Sequence, residues 1–204
     1  MTPPLQLGIL LSGRGSNMQA IHQSITKGKL HAQIKIILSD QPQAGGLAYA
    51  KTHGLAHQSI PKIKGESLED YEKKLLQVLQ KAQVDTIVLA GFMRLLSPYF
   101  LKHYPDRVLN IHPSLLPNFP GLAAQKQALE AGASESGCTV HFVDEGCDTG
   151  PIIDQRRVSV LSTDTVESLS ERILKEEHVL YSQVLEKLAQ GKIQKKGKQV
   201  LVKD

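Results

Sequence analysis

Short, continuously apolar runs alternate along this chain with segments of helical period, and that alternation limits what it can fold into. Residues 5–11 (L-Q-L-G-I-L-L), 85–90 (D-T-I-V-L-A) and 108–111 (V-L-N-I) leave too few polar positions for a strand with one wet face. Strands buried on both faces read this way, and crossover helices are what bury them. Further strand-like runs occupy 33–39 and 57–60. Helical spacing covers 45–52 and then 67–82, where Leu68, Tyr71, Leu75, Val78 and Leu79 make one stripe. A short helix is expected at 98–103. The pattern predicts an α/β fold: one domain with an open, mostly parallel twisted sheet and helices on both faces. At 204 residues the chain is long enough for one full core.

The ends of these elements carry their own signals. Ser16 with Gln19 three residues on gives a capping-box pattern for the first helix, with Met18, Ile21 and Ile25 as its apolar face. Beyond Gly121 a short helix carries Ala128 and Leu129. Runs at 139–143 and 152–160 then read as a strand pair around E-G-C-D-T-G-P, which is too turn-rich to be either element. Asp164, with Glu167 three residues on, opens a last helix running to about 190. Residues 1–190 are therefore expected to form the domain. Residues 191–204 are a basic tail with Lys192, Lys195, Lys196 and Lys198, and 200–202 is a candidate edge strand.

Composition excludes several classes. With 41% hydrophobic and 22% charged residues the chain is ordinary for a globular protein. Its first apolar run is far too short to span a bilayer, and no secretory leader pattern is evident, so a cytoplasmic protein is expected. A net charge of +4 comes with only 4% aromatics, no Trp and no nucleic-acid-binding motif. A mild positive field also suits small anionic substrates. Cys138 and Cys147 make no metal-ligand spacing, so no metal is expected. Cys138 alternates with Val140 and Phe142 and reads as a core residue.

Chemistry concentrates in V-L-N-I-H-P-S-L-L-P, residues 108–117. Asn110 and His112 lie two apart at the end of a strand and so share a face. An amide donor can hold a developing oxyanion while an imidazole carries charge or a proton. Asp148, in F-V-D-E-G-C-D-T-G-P, is a third candidate, because a carboxylate beside His112 would orient the ring and favour its charged form. The loop S-G-R-G-S-N joins the first strand to the first helix, where helix N–H groups suit a phosphate. In the last helix Val166, Leu169, Ile173, Leu180, Val184 and Leu188 form a stripe that Glu177 interrupts. Glu177 is then either one half of a structural ion pair or a carboxylate lining a polar pocket. Phe92, Met93 and Leu96 in G-F-M-R-L-L-S-P could wall a flat apolar ligand, or simply pack. His57, His103, His141 and His178 read as surface or packing residues.

Taken together, L-S-G-R-G-S-N, L-A-G-F-M-R-L-L-S-P, N-I-H-P-S-L-L-P, D-T-G-P-I-I and K-E-E-H-V-L-Y closely resemble the phosphoribosylglycinamide formyltransferase family, in the family's order and over nearly the whole chain. The resemblance implies a Rossmann-like fold and formyl transfer from 10-formyltetrahydrofolate to 5'-phosphoribosylglycinamide in purine synthesis, without a metal. It implies Asn110, His112 and Asp148 as the catalytic group. Gly15, Ser16 and Asn17 would hold the phosphate by backbone and side-chain donors, and Glu177 would contact the ribose hydroxyls. Met93, Arg94, Leu95 and Leu96, with Asn110, Asp144, Glu145, Gly146, Cys147 and Asp148, would bind the folate. The implied partners are these two small molecules, with no nucleic acid or membrane, and the enzyme would act as a monomer or homodimer. Two departures stand out. Ala123 and Ala124 follow P-G-L where members often carry His or another polar residue. Leu68 stands where some carry an Arg reaching the folate tail, leaving Lys62 or Lys64 as substitutes. A formyltetrahydrofolate hydrolase and a non-catalytic folate- or nucleotide-binding module are the alternatives. Such hydrolases usually add an N-terminal regulatory domain and carry His where Pro113 stands, and a transferase acting on methionyl-tRNA needs a further C-terminal domain.

Overall fold

The computed structural model describes residues 3–203. In chain order the elements are β1 (Leu5–Leu11), α1 (Ser16–Thr26), β2 (Ala32–Ser39), α2 (Gly45–Thr52), β3 (His57–Ser59), α3 (Leu68–Lys81), β4 (Thr86–Leu89), α4 (Pro98–Leu101), β5 (Val108–His112), α5 (Ala124–Glu130), β6 (Glu135–Phe142), β7 (Ile152–Ser159), α6 (Val166–Ala189), β8 (Ile193–Lys196) and β9 (Gln199–Val202). Seven strands form one sheet in the order β3-β2-β1-β4-β5-β6-β7. Pairings from β3 across to β5 are parallel, whereas β5–β6 and β6–β7 are antiparallel. This is the α/β architecture expected from the apolar runs.

Each face of the sheet has its own core. Leu7, Ile9 and Leu11 of β1 join Val88, Leu109 and Ile111 beneath α1 and α6. Leu10, Leu38, Ile87 and Leu89 face the other way, against Leu75 and Leu79 of α3 and Phe100 of α4. Alternate residues of one strand thus feed two cores, so the strands look apolar throughout. Gly8 permits the α3 contact: a Cβ there would lie 2.6 Å from Leu79 Cδ2 and 2.9 Å from Val84 Cγ1. α6 lies against the sheet through Leu169, Ile173, Leu180, Tyr181 and Val184. The Tyr181 hydroxyl points at the carbonyls of Leu89 (3.1 Å) and Leu109 (2.9 Å), tying α6 to adjacent strands β4 and β5. Cys138 is buried as expected, and burial pushes its thiol up to about 12.

Three end signals resolve differently from the sequence reading. Ser16 opens no capping box. Gly15 takes the N-cap in a left-handed conformation (φ 73°) with no side-chain cap, and Gln19 Nε2 reaches the Arg14 carbonyl instead (3.2 Å). Gly15 is fixed there by α2, since a Cβ would sit 2.9 Å from Gly46 Cα. The last helix is capped by Thr165 with Ser168, not by Asp164 with Glu167. Asp164 instead binds the Arg172 guanidinium and the Leu161 N–H, which hold its carboxyl well below the usual range. Residues 200–202 add no edge to the main sheet. They belong to β9, which pairs with β8 in a separate hairpin whose Ile193, Val200 and Val202 cover the α1–α6 core.

Tyr181→Phe removes a buried donor shared by two carbonyls. It should lower stability by about 1 kcal/mol, read as a lower urea midpoint with an unchanged m-value.

Candidate active site

Strand order reverses between β1 and β4, and in open α/β sheets the crevice beyond such a reversal is where ligands bind. A cavity of about 970 Å³ opens there, walled by the segments that follow β1, β4 and β5 and by α6. Asn110 and His112 enter from β5, and Asp148 comes from the turn between β6 and β7.

Asp148 is the hub. Its Oδ2 lies 3.1 Å from His112 Nδ1 and accepts the Gly121 N–H at 2.9 Å. Its Oδ1 lies 3.3 Å from Asn110 Nδ2 and 3.6 Å from His141 Nε2. Burial alone pushes the carboxyl up, but His141, the Gly121 N–H and the His112 charge outweigh it and bring Asp148 down to about 2. The other ring nitrogen of His112 faces the Phe119 carbonyl at 2.8 Å. Both nitrogens therefore face acceptors, and a doubly protonated ring donates to both. Asn110, His112 and Asp148 meet in one cluster.

His141 belongs to that cluster, although the sequence reading set it aside. It is buried on β6 directly opposite Asn110 in the β5–β6 ladder. Its Nδ1 donates to the Phe142 carbonyl (2.9 Å), and its Nε2 lies 3.2 Å from Asn110 Nδ2. The signal was the strand alternation of H-F-V, but only the pairing register shows which residue it opposes. His57 and His103 are exposed and bond the nearby carbonyls of Leu55 and Tyr99, as surface residues do.

At the other end of the cavity, Gly15, Ser16 and Asn17 bring the first turn of α1 to the wall, with Arg14 beside them. Asn17 differs from the expectation of a side-chain donor to phosphate: its Nδ2 is committed to Glu177 Oε2 at 2.8 Å, leaving its backbone N–H. Asn17 Oδ1 is buried with no hydrogen-bond partner among the described residues. Glu177 is 7% exposed and has an amide, not a cation, as its hydrogen-bond partner. Burial pushes it up to about 7 against the opposing effect of Asn17. That favours the pocket-lining reading over the ion pair.

Met93, Arg94, Leu95 and Leu96 line the wall after β4, with Met93 and Leu95 exposed. Three other elements pin this segment. Ser12 Oγ accepts the Met93 N–H (2.9 Å), Asp40 Oδ2 accepts from Arg94 Nε (2.7 Å), and buried Glu72 accepts the Ser97 N–H (2.7 Å). Sequence reasoning missed Ser12, Asp40 and Glu72. Asp40, one residue beyond β2, was the one visible hint. Asp144, Gly146, Cys147 and Asp148 also line the cavity, whereas Glu145 is exposed outside it. Asp144 Oδ1 accepts from the Gly146 N–H (3.1 Å) and Thr149 Oγ1 (2.7 Å), which folds this turn on itself. Lys62 and Lys64 do not line the cavity, and the Lys62 ammonium is held by the Glu66 carbonyl.

This chain belongs to the formyl transferase family, whose model matches residues 5–185. Within that family it is 39% identical to the phosphoribosylglycinamide formyltransferase of Escherichia coli (strain K12), over 93% of this chain and 89% of that protein. It is 46% identical to the trifunctional purine biosynthetic protein adenosine-3 of Drosophila melanogaster over 91% of its own length, but spans only 14% of that larger protein. The solved structure of glycinamide ribonucleotide transformylase 1 from Symbiobacterium toebii superposes with a TM-score of 0.97 at 42% identity, covering 100% of this chain and 96% of that one.

The raised Glu177 carboxyl has a stability consequence. The folded state keeps the proton that the unfolded chain gives up near the ordinary carboxyl value of 4.5, so a penalty grows from there to about pH 7 and is complete above it. Glu177→Gln removes the penalty. It should stabilise the protein by about 2–3 kcal/mol at pH 8 and by little at pH 4, measured by urea unfolding at both values.

Proposed function

We propose that this chain transfers the formyl group of 10-formyltetrahydrofolate to the amine of 5'-phosphoribosylglycinamide, a step of purine synthesis. The observation that carries the reading is Asp148, which faces Asn110 through one carboxylate oxygen and His112 through the other. The cavity of about 970 Å³ is at the upper end of the range for a small-molecule pocket, about 300–1,000 Å³, which supports a site for more than one small ligand. Its exposed Met93 and Leu95 offer apolar contact, and the α1 N-terminus offers anion-binding N–H groups.

The amine of the ribonucleotide attacks the formyl carbon of 10-formyltetrahydrofolate, and the bond from that carbon to N10 breaks as the tetrahedral intermediate collapses. Backbone of 93–96 and of the 144–148 turn holds the folate. Gly15, Ser16 and the Asn17 N–H take the phosphate of the ribonucleotide, and Glu177 accepts from its ribose hydroxyls. Asn110 Nδ2 exchanges its long 3.3 Å contact with Asp148 for the formyl oxygen as negative charge develops there. His112, with its two ring nitrogens facing Asp148 and the Phe119 carbonyl, stabilises the same oxygen through the charge of its doubly protonated ring. An Asp148 carboxyl held at about 2 retains no proton at neutral pH. Its part is to keep His112 oriented and charged and to steer the proton leaving the amine, through water, toward N10. His141 steadies Asn110 and Asp148 together. The reading places catalysis in residues 1–190 of a cytoplasmic enzyme, a monomer or homodimer without a nucleic-acid partner. Among the described residues no helix is long and apolar enough to cross a membrane.

Absorbance change on release of the folate product tests this, with and without the ribonucleotide. Release should require the ribonucleotide and fall about a hundred- to a thousand-fold in His112→Ala. Release without the ribonucleotide would identify a hydrolase. Binding of both ligands with no release would leave a binding module.

A further inference from the structure

We infer that Gln127, on α5 and outside the catalytic cluster, is a positioning residue for Asp148 and His112. The inference rests on the formyl-transfer reading. Residues 118–123 (N-F-P-G-L-A) bridge the His112 strand to α5 and touch the cluster twice. The Phe119 carbonyl faces His112 Nε2 at 2.8 Å, and the Gly121 N–H donates to Asp148 Oδ2 at 2.9 Å. Between them the backbone is held in the left-handed region at Phe119 (φ 54°), Gly121 (φ 77°) and Ala123 (φ 57°). Two of these are not glycine, so the segment adopts a conformation its own residues disfavour and needs outside restraint.

Gln127 supplies that restraint. It stands one turn into α5, its backbone N–H bonded to the Ala123 carbonyl at 3.0 Å. Its side chain folds back over the segment, and Nε2 donates to the carbonyls of Pro120 (3.1 Å) and Leu122 (2.9 Å). Both partners are acceptors, so only the NH₂ end of the amide can face them. The Pro120 carbonyl and the Gly121 N–H belong to one planar peptide unit and point in opposite directions. Gln127 therefore holds one end of the peptide whose other end is bound to Asp148. Hydrogen bonds at both ends also polarise that unit and strengthen its grip on the carboxylate. At the near end Ser114 Oγ donates to the Asn118 carbonyl at 2.5 Å, one peptide before the Phe119 carbonyl.

Gln127→Leu keeps the bulk and removes both donors, whereas Gln127→Lys restores N–H donors on a longer stem. Lys126→Ala, an exposed neighbour on the same helix, controls for general damage to α5. Gln127→Leu should lower kcat about tenfold to a hundredfold with little change in the KM of either substrate, and Gln127→Lys should recover part of the loss. The groups facing the Asp148 carboxylate are His112 from β5, His141 from β6, the Gly121 N–H, Asn110 and the Cys147 thiol. Of these, Gln127 acts directly on the Gly121 N–H, and on His112 only through the Phe119 carbonyl of the same segment. Its loss should move the Asp148 titration, followed by carboxyl carbon NMR in the free protein, and the acid limb of kcat/KM upward together. A Leu variant that melts lower but keeps the Asp148 titration and kcat of the parent would overturn the inference, as would a Lys variant no better than Leu. Absence of ribonucleotide-dependent turnover in the parent protein would instead defeat the formyl-transfer reading. The NMR titration would still decide whether Gln127 positions Asp148.

Discussion

A carboxylate withdrawn from water persists only where donors and positive charge replace its hydration, and the site of this protein is assembled around one such group. Asp148 collects an amide from β5, imidazoles from β5 and β6, and a backbone N–H from the segment before α5. These come from parts of the chain up to 38 residues away. Its own backbone is left-handed (φ 56°), which aims the side chain back at the sheet from a turn that Asp144 and Thr149 tie shut. No one of these groups is rigid alone. The carboxylate makes them mutually dependent, so the geometry of Asn110 and His112 is set by the same contacts that keep Asp148 ionised.

The sheet decides where this can happen. Parallel strands bring β1, β4 and β5 to one edge by their C-terminal ends, and the reversal of strand order opens a crevice between their following segments. The turn to antiparallel pairing at β5–β6 is equally necessary. It brings His141 opposite Asn110 and starts the Asp148 turn beside Val108 at the beginning of β5, from where the turn folds back onto Asn110 and His112. α6 closes the arrangement: Tyr181 fastens it beneath β4 and β5, and one turn earlier Glu177 reaches the α1 N-terminus through Asn17.

What the sequence made legible follows from the range of the interactions involved. Strands feeding two cores are continuously apolar, and helices covering them carry 3.6-residue stripes, so the architecture was readable from local pattern. Glu177 was readable for the same reason, as a polar break in such a stripe. His141 was not, because nothing local separates a buried histidine that packs from one that meets Asn110. That distinction lives in the β5–β6 register. The caps failed for a similar cause. Ser16 and Asp164 fit the pattern for a helix start, but the close approach of Gly46 set Gly15 as the first cap and Arg172 drew Asp164 away from the second. Residues 200–202 have strand character, and only the turn at Gly197 decides that they pair with β8 and not with the main sheet.

Two carboxylates in one cavity are driven in opposite directions. Asp148, ringed by donors, falls to about 2, while Glu177, buried against a single amide, rises to about 7. Environments that push like groups apart mark different tasks. Asp148 keeps its negative charge across the whole physiological range, which suits a group that orients the His112 ring 3.1 Å away. Glu177 is balanced between an acid that donates and a carboxylate that accepts, so it can match the donor and acceptor pattern of a sugar hydroxyl. Ligand hydroxyls that donate to it would favour its ionised form. The two ends of the cavity are thus distinguished by what replaces water: donors from several elements keep Asp148 ionised, whereas burial against a single amide raises Glu177.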